Sequence, residues 1–261
     1  MTTTTDTSGT ATITPIRGLT WLPFLVGFGL LWGSLALLGG FVTFGLWGMP
    51  IFLVVALLAV VVQRVLFGTP WSSWVSTLGL GRAHWRGILL ALVISALVLL
   101  VFPLTTLVTG AQLQLVNDWP LILIGLFAFH GLCEELVWRG YAFRRLRVGR
   151  SFTRAVLWTM ALLALTHIPI IIQGGPIVGI GAMIVAAATS IPFAYLYETG
   201  RNTIWAAAIV HTAIDSFKIF VVPPAATMTF AMLLIVISIG VPLLALAVRR
   251  RHLVPQLAED A

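Results

Sequence analysis

The sequence has few charged residues and a single cysteine. Only 9% of its 261 residues are charged and 59% are hydrophobic, whereas a soluble domain typically has about 25% charged and about 45–50% apolar residues. So few charges could not cover the surface of a soluble globule, and so many apolar residues exclude a disordered chain. The lone Cys133 excludes a disulfide framework and a four-cysteine zinc site. The composition therefore predicts a membrane protein, in which histidines and carboxylates would have to bind any metal.

Eight apolar runs follow one another along the chain, and a spanning helix needs roughly 17–25 such residues. We predict an all-α polytopic membrane protein with about eight transmembrane helices in one domain, residues 16–252. Residues 1–15 lack the basic start of a signal peptide and are predicted to form a disordered tail, and residues 253–261 form a C-terminal tail. The runs are 19–47, 51–67, 87–108, 119–138, 155–172, 177–197, 203–221 and 228–248.

The positions of the basic residues agree with this number of spans. With an even number, both termini lie on one side of the membrane, and 14 of the 15 lysines and arginines lie on that side too. Only Lys218 falls toward the other side. Because cytoplasmic loops carry an excess of Lys and Arg, we predict that both termini are cytoplasmic. Orientation thus explains the net charge of +7, and no nucleic-acid partner is expected.

Ionisable residues inside the apolar runs are few. Each costs roughly 2.5–3.5 kcal/mol on insertion scales, so each is a candidate for function. They lie on runs four, five and seven. The candidates are His130, Glu134, Glu135, Arg139, His167, His211, Asp215 and Lys218.

Run four carries two carboxylates for which we predict different roles. Glu135 lies four residues before Arg139 on the same helix face, which predicts a structural ion pair. Glu134 is rotated by about 100°, onto the face of His130, and remains available as a general base. An ion cluster at the end of a helix is the alternative interpretation of this run.

The depths of these groups are compatible with a single site. At a rise of 1.5 Å per residue, Glu134 and His167 both lie about 25 Å from the tip of the hairpin that joins runs four and five. His211 and Asp215 are four residues apart and share one face of run seven. We therefore expect one cavity near the middle of the membrane, open or half open to the cytoplasm.

Such a set of side chains can activate water in two ways. Glu134, His167, His211 and Asp215 could bind a divalent metal such as zinc, which lowers the pKa of bound water to about 7. Without a metal, Glu134 would take the proton, with His167 orienting it and the other two groups stabilising the oxyanion. The sequence lacks the His-Glu-x-x-His motif of zincin-type proteases. Both mechanisms remain open at this point.

Three ordered motifs resemble those of the CPBP family of intramembrane proteases, which includes Rce1-type CAAX prenyl endopeptidases and bacterial Abi proteins. The segment 134–140, Glu-Glu-Leu-Val-Trp-Arg-Gly, is similar to the family signature Glu-Glu-x-x-x-Arg-Gly. His167 matches Phe-x-x-x-His, with Leu163 at the Phe position. His211 and Asp215 match His-x-x-x-Asn or Asp. The resemblance covers the second half of the chain and the arrangement of eight spans.

The resemblance implies an Rce1-like bundle with an intramembrane active site that cuts a membrane-associated protein or peptide. It implies that Glu134 and His167 activate water and that His211 and Asp215 stabilise the oxyanion, with Glu135 and Arg139 in support. An ionised Asp215 cannot donate a hydrogen bond as Asn would, which slightly favours a metal. His130 lies outside the motifs, and we interpret it as a packing histidine.

Two other classes of function remain as alternatives. A non-catalytic member of the same fold, such as a bacteriocin immunity factor or a scaffold, would keep the bundle without the chemistry. A proton-coupled carrier is disfavoured because the acids cluster at one site and no repeated halves are visible. The scarcity of lysine is typical of a high-GC bacterium, so we expect the protein in the cytoplasmic membrane.

Overall fold

The computed structural model describes residue 13 and residues 15–39 and 44–249. The predicted N-terminal tail lies outside the described residues except at positions 13 and 15. The predicted C-terminal tail, 253–261, lies entirely outside them.

The described chain is almost entirely helical, which confirms the predicted all-α membrane fold. A short helix, Trp74–Thr77, precedes α3. A small antiparallel sheet pairs Gln114–Leu115 with Phe220–Val221. The main helices are α1 (Trp21–Gly39), α2 (Phe44–Phe67), α3 (Trp85–Thr109), α4 (Trp119–Arg147), α5 (Phe152–Thr166), α6 (Ile168–Thr199), α7 (Trp205–Asp215) and α8 (Thr227–Leu243).

The eight apolar runs take three structural forms. Within the described ranges, six helical stretches are long and apolar enough to cross a membrane. A seventh candidate is the pair formed by α5 and the start of α6, which is bent by 50°. The remaining run contains α7, which has only 11 residues and is shorter than a spanning helix.

The segment that contains α7 nevertheless runs alongside α3 from end to end. The amide of Ile204 donates to the carbonyl of Gly79, 2.9 Å away, shortly before α3 begins. After α7, the 3₁₀ helix Ser216–Ile219 leads into the strand that pairs with the segment following α3. A 3₁₀ helix and a strand rise more per residue than an α-helix. Fewer helical residues therefore cover the same distance.

The bend between α5 and α6 lies at His167. This residue follows the last residue of α5, and Pro169 occupies the first turn of α6, where a proline removes no intrahelical hydrogen bond. Gly175 interrupts α6 with a φ of 82°, a conformation that favours glycine. The part of α6 that can cross a membrane is Gly179–Thr199. The predicted fifth run is thus a bent segment and not a straight helix.

Helix α4 is the central element of the bundle. Its most apolar stretch is 61% buried, more than that of any other candidate span in the described chain. It contains two π-helical stretches, Phe127–Glu134 and Leu136–Phe143, and π-helical turns are frequent at functional sites. Close packing on α2 depends on Gly48, where a Cβ would lie 2.2 Å from the carbonyl oxygen of Gly125.

The outward faces of the helices carry large apolar side chains. Leu19, Leu107, Ile172 and Met228 are each at least 75% exposed within the chain. A soluble monomer rarely exposes apolar surface so extensively, whereas a bilayer covers it. The structure is accordingly that of an integral multi-pass membrane protein.

Candidate active site

Six ionisable side chains from α4, α7 and the turn after α7 meet in one cluster inside the bundle. Five of them are partly exposed, by 12–25%, and Glu135 is completely buried. We call this set the acid–base cluster. Its members are His130, Glu134, Glu135, His211, Asp215 and Lys218.

Two contacts within α4 hold one side of the acid–base cluster. His130 Nδ1 lies 2.6 Å from Glu134 Oε1, and Arg139 donates to Glu135 Oε1 over 2.9 Å. Both contacts join residues four apart, so the predicted Glu135–Arg139 pair is present. The Arg139 guanidinium also lies over the ring of Phe193, 4.9 Å from its centre.

His211 connects α7 to both carboxylates of α4. Its Nδ1 is 2.8 Å from Glu135 Oε1, and its Nε2 is 3.7 Å from Glu134 Oε2 and 3.3 Å from Asp215 Oδ2. Carboxylate oxygens accept hydrogen bonds, so an imidazole that donates through both nitrogens satisfies this arrangement. The two helices approach closely because Gly131 faces Thr212, whose Oγ1 would lie 2.6 Å from a Cβ at that position.

Exposure distinguishes the two glutamates. Glu135 is 0% exposed, and its Oε1 already has both Arg139 and His211 as partners. Glu134 is 25% exposed, the most of any side chain in the acid–base cluster. Of the two glutamates, Glu134 is therefore the one that a water molecule or a substrate can reach.

Two members of the cluster, Lys218 and His130, had no predicted part in the chemistry. Lys218 Nζ lies 2.6 Å from Asp215 Oδ1 and 2.8 Å from His130 Nε2. His130, interpreted as a packing residue, contacts Glu134. Helical spacing could have predicted both contacts, because His130 precedes Glu134 by four residues and Lys218 follows Asp215 by three.

His167 is the predicted site residue whose hydrogen bond lies within its own helix. Its Nδ1 is 2.8 Å from the carbonyl oxygen of Leu163, one turn earlier in α5. Among the described residues, no hydrogen bond or ion pair joins His167 to the acid–base cluster. Direct contacts thus join three of the four predicted catalytic side chains, and the role of His167 stays a prediction.

The donor set resembles a metal site only in part. Ligand atoms of His130, His211 and Asp215 lie within 4.8 Å of one another, and two histidines with one carboxylate are a ligand set of catalytic zinc. The ammonium group of Lys218 contacts two of these three residues, however, and would repel a second cation. As arranged, the cluster does not fit a divalent metal unless Lys218 turns away.

A comparison with protein families bears on the same part of the chain. Residues 116–217 match the model of the Rce1-like family, described as type II CAAX prenyl endopeptidase Rce1-like. No curated protein matches the chain. The matched range extends from just before α4 through α7 and includes all three motifs. Residues 116–217 are thus similar to the Rce1-like family of type II CAAX prenyl endopeptidases, and the three ordered motifs lie within this range.

Proposed function

We propose that the protein is an intramembrane endopeptidase in which Glu134 activates the water that hydrolyses a peptide bond. The observation that carries this proposal is the contrast between the two neighbouring glutamates. Glu135 is completely buried and paired with Arg139, whereas Glu134 is partly exposed beside two imidazoles. The substrate is a membrane-associated protein or peptide.

In this mechanism Glu134 takes a proton from water while the water oxygen attacks the carbonyl carbon of the scissile bond. His211 donates to the oxyanion that forms, since its Nε2 points toward Glu134 and Asp215. Glu134 then passes the proton to the leaving amine as the C–N bond breaks. Asp215 orients His211, because an ionised carboxylate cannot donate to an oxyanion.

A metal-assisted mechanism is the alternative proposal. His130, His211 and Asp215 would hold the ion, which would supply a more acidic bound water. The contacts of Lys218 favour the mechanism without a metal. Purified protein should then keep its activity after extended chelation and contain metal well below one ion per chain. Activity that chelation removes and zinc restores would support the alternative.

The deciding experiment replaces Glu134 with Gln, which keeps the shape of the side chain and removes the base. Membranes from cells that express wild type or E134Q are compared for newly formed peptide termini by proteomics. We expect the wild-type termini to be absent with E134Q, at equal levels of protein in the membrane. Their persistence in E134Q would overturn the proposal.

Glu198→Gln is the matched control for this experiment. Glu198 lies at the end of α6 and pairs with Arg147 over 2.6 Å, outside the acid–base cluster. The E198Q variant makes the same chemical change away from the proposed base, and we expect it to form the wild-type termini. A non-catalytic scaffold or immunity factor would instead keep its cellular phenotype in E134Q.

A further inference from the structure

Lys218 is the only lysine of the chain and lies in the turn after α7, one residue beyond the segment that matches the family model. Its ammonium group contacts Asp215 Oδ1 at 2.6 Å and His130 Nε2 at 2.8 Å. The side chain is 21% exposed, so this charge lies largely inside the bundle.

The direction of these hydrogen bonds determines the tautomer of His130. An ammonium group can only donate, so the Nε2 of His130 must accept. A neutral imidazole that accepts at Nε2 carries its proton on Nδ1, and this Nδ1 faces Glu134 Oε1 at 2.6 Å. Lys218 thereby selects the tautomer that donates to the proposed base. With the other tautomer, a lone pair of His130 would face the carboxylate of Glu134.

The same ammonium group compensates the charge of Asp215. A carboxylate near the site of a developing oxyanion raises the energy of the transition state, because like charges repel. Together Asp215 and Lys218 carry no net charge, and in this respect the pair resembles a neutral asparagine at position 215. The lysine therefore matters most because the acid of the last motif is Asp and not Asn.

We propose that Lys218 is a positioning residue of this site: it orients His130 toward Glu134 and compensates the charge of Asp215. The inference rests on the proposed function. It adds a residue that acts through two neighbours and does not itself touch the substrate.

The test measures kcat and KM for K218M, K218R, D215N and the double variant D215N/K218M. The assay follows a peptide that spans a cleavage site found only with active protein in the comparison with E134Q. We expect K218M to lower kcat by about 10–100-fold, the loss typical when residues that orient metal-binding side chains are replaced, with a smaller change in KM. K218R, which keeps a cationic donor, should recover part of the loss.

The double variant separates charge compensation from a general structural effect. In the D215N background K218M leaves no uncompensated carboxylate, so we expect it to cost a smaller factor there than in wild type, the remaining cost being the lost hydrogen bond to His130. Equal factors in both backgrounds would overturn the inference, as would a K218M variant with wild-type kcat. If K218M does not accumulate, the comparison of D215N with D215N/K218M gives the measurement.

Two further results distinguish this inference from its premise. Cleavage that persists in E134Q removes the proposed function, whatever Lys218 does. Loss of cleavage in E134Q together with full activity of K218M removes only the role of Lys218.

A K218M variant that becomes active with added zinc would also overturn the inference, because Lys218 would then only block a metal site. Exposed Arg154→Met is the control for loss of a cation.

Discussion

At the scale of single residues, adjacent side chains with the same chemistry have different surroundings. Glu134 and Glu135 differ by one position, but only Glu135 points into the fully buried side of α4, toward Arg139. A buried carboxylate with two donors is held in place, whereas a partly exposed one can exchange partners during a reaction. The division of roles follows from the rotation of a helix by roughly a quarter turn per residue.

Replacing Arg139 with Leu should destabilise the protein, because Glu135 would stay buried with His211 as its remaining hydrogen-bond partner. Breaking a buried pair by removing one member typically costs about 3–5 kcal/mol. Thermal unfolding in detergent measures the change, and Arg154→Leu at the exposed start of α5 is the control. An unchanged melting temperature in R139L would contradict a structural role for this pair.

Alanine variants of two histidines test which imidazole supports Glu134. His130 contacts the glutamate directly, and His167 is hydrogen-bonded within α5. We expect H130A to lose more kcat than H167A, since a positioned acid–base partner is typically worth about 10²–10⁴-fold. The opposite order would support the predicted role of His167 as the partner of Glu134.

At the scale of elements, small residues decide how closely the helices approach α4. Gly140 follows Arg139 in the family signature, and a Cβ there would lie 2.3 Å from the carbonyl oxygen of Leu78. The loop of Leu78 is held in turn by the hydrogen bond from Ile204 to Gly79. The glycine of the signature thus permits contact between the backbone of α4 and the loop before α3.

Gly140→Ala should lower the stability of the bundle by about 1–3 kcal/mol, the usual cost of overpacking a well-packed site. Backbone atoms cannot rotate away as a side-chain end can. Gly33→Ala in α1 is the matched control, because a Cβ at Gly33 meets nothing within 4 Å. We expect G33A to melt at or slightly above the wild-type temperature, and a G140A variant that melts with it would refute the packing argument.

At the scale of the whole molecule, α3 extends from one end of the bundle to the other, and the two ends carry different residues. Arg82 and Arg86 lie at its start, and the small sheet containing Gln114 lies beyond its end. Because cytoplasmic loops carry an excess of Lys and Arg, we expect the first end to face the cytoplasm.

Labelling of single cysteines tests this orientation. Exposed Arg154→Cys and Gln112→Cys lie at opposite ends of the bundle, and the native Cys133 is buried. In intact spheroplasts a membrane-impermeant maleimide should label Q112C, whereas R154C should react only after the cells are opened. The reverse pattern would place the termini outside, and wild type reports the background from Cys133.

The membrane class, most of the helical runs and the proximity of residues four apart on α4 follow from the sequence alone. The pairs His130–Glu134 and Glu135–Arg139 follow from helix geometry, since residues four apart are neighbours whatever surrounds them. Which helices meet depends on the tertiary structure. The contact of His211 with Glu135, the position of Lys218 and the place of His167 at a bend depend on the packing of distant segments. Local periodicity cannot specify these contacts, because it carries no information on the approach and bending of separate helices.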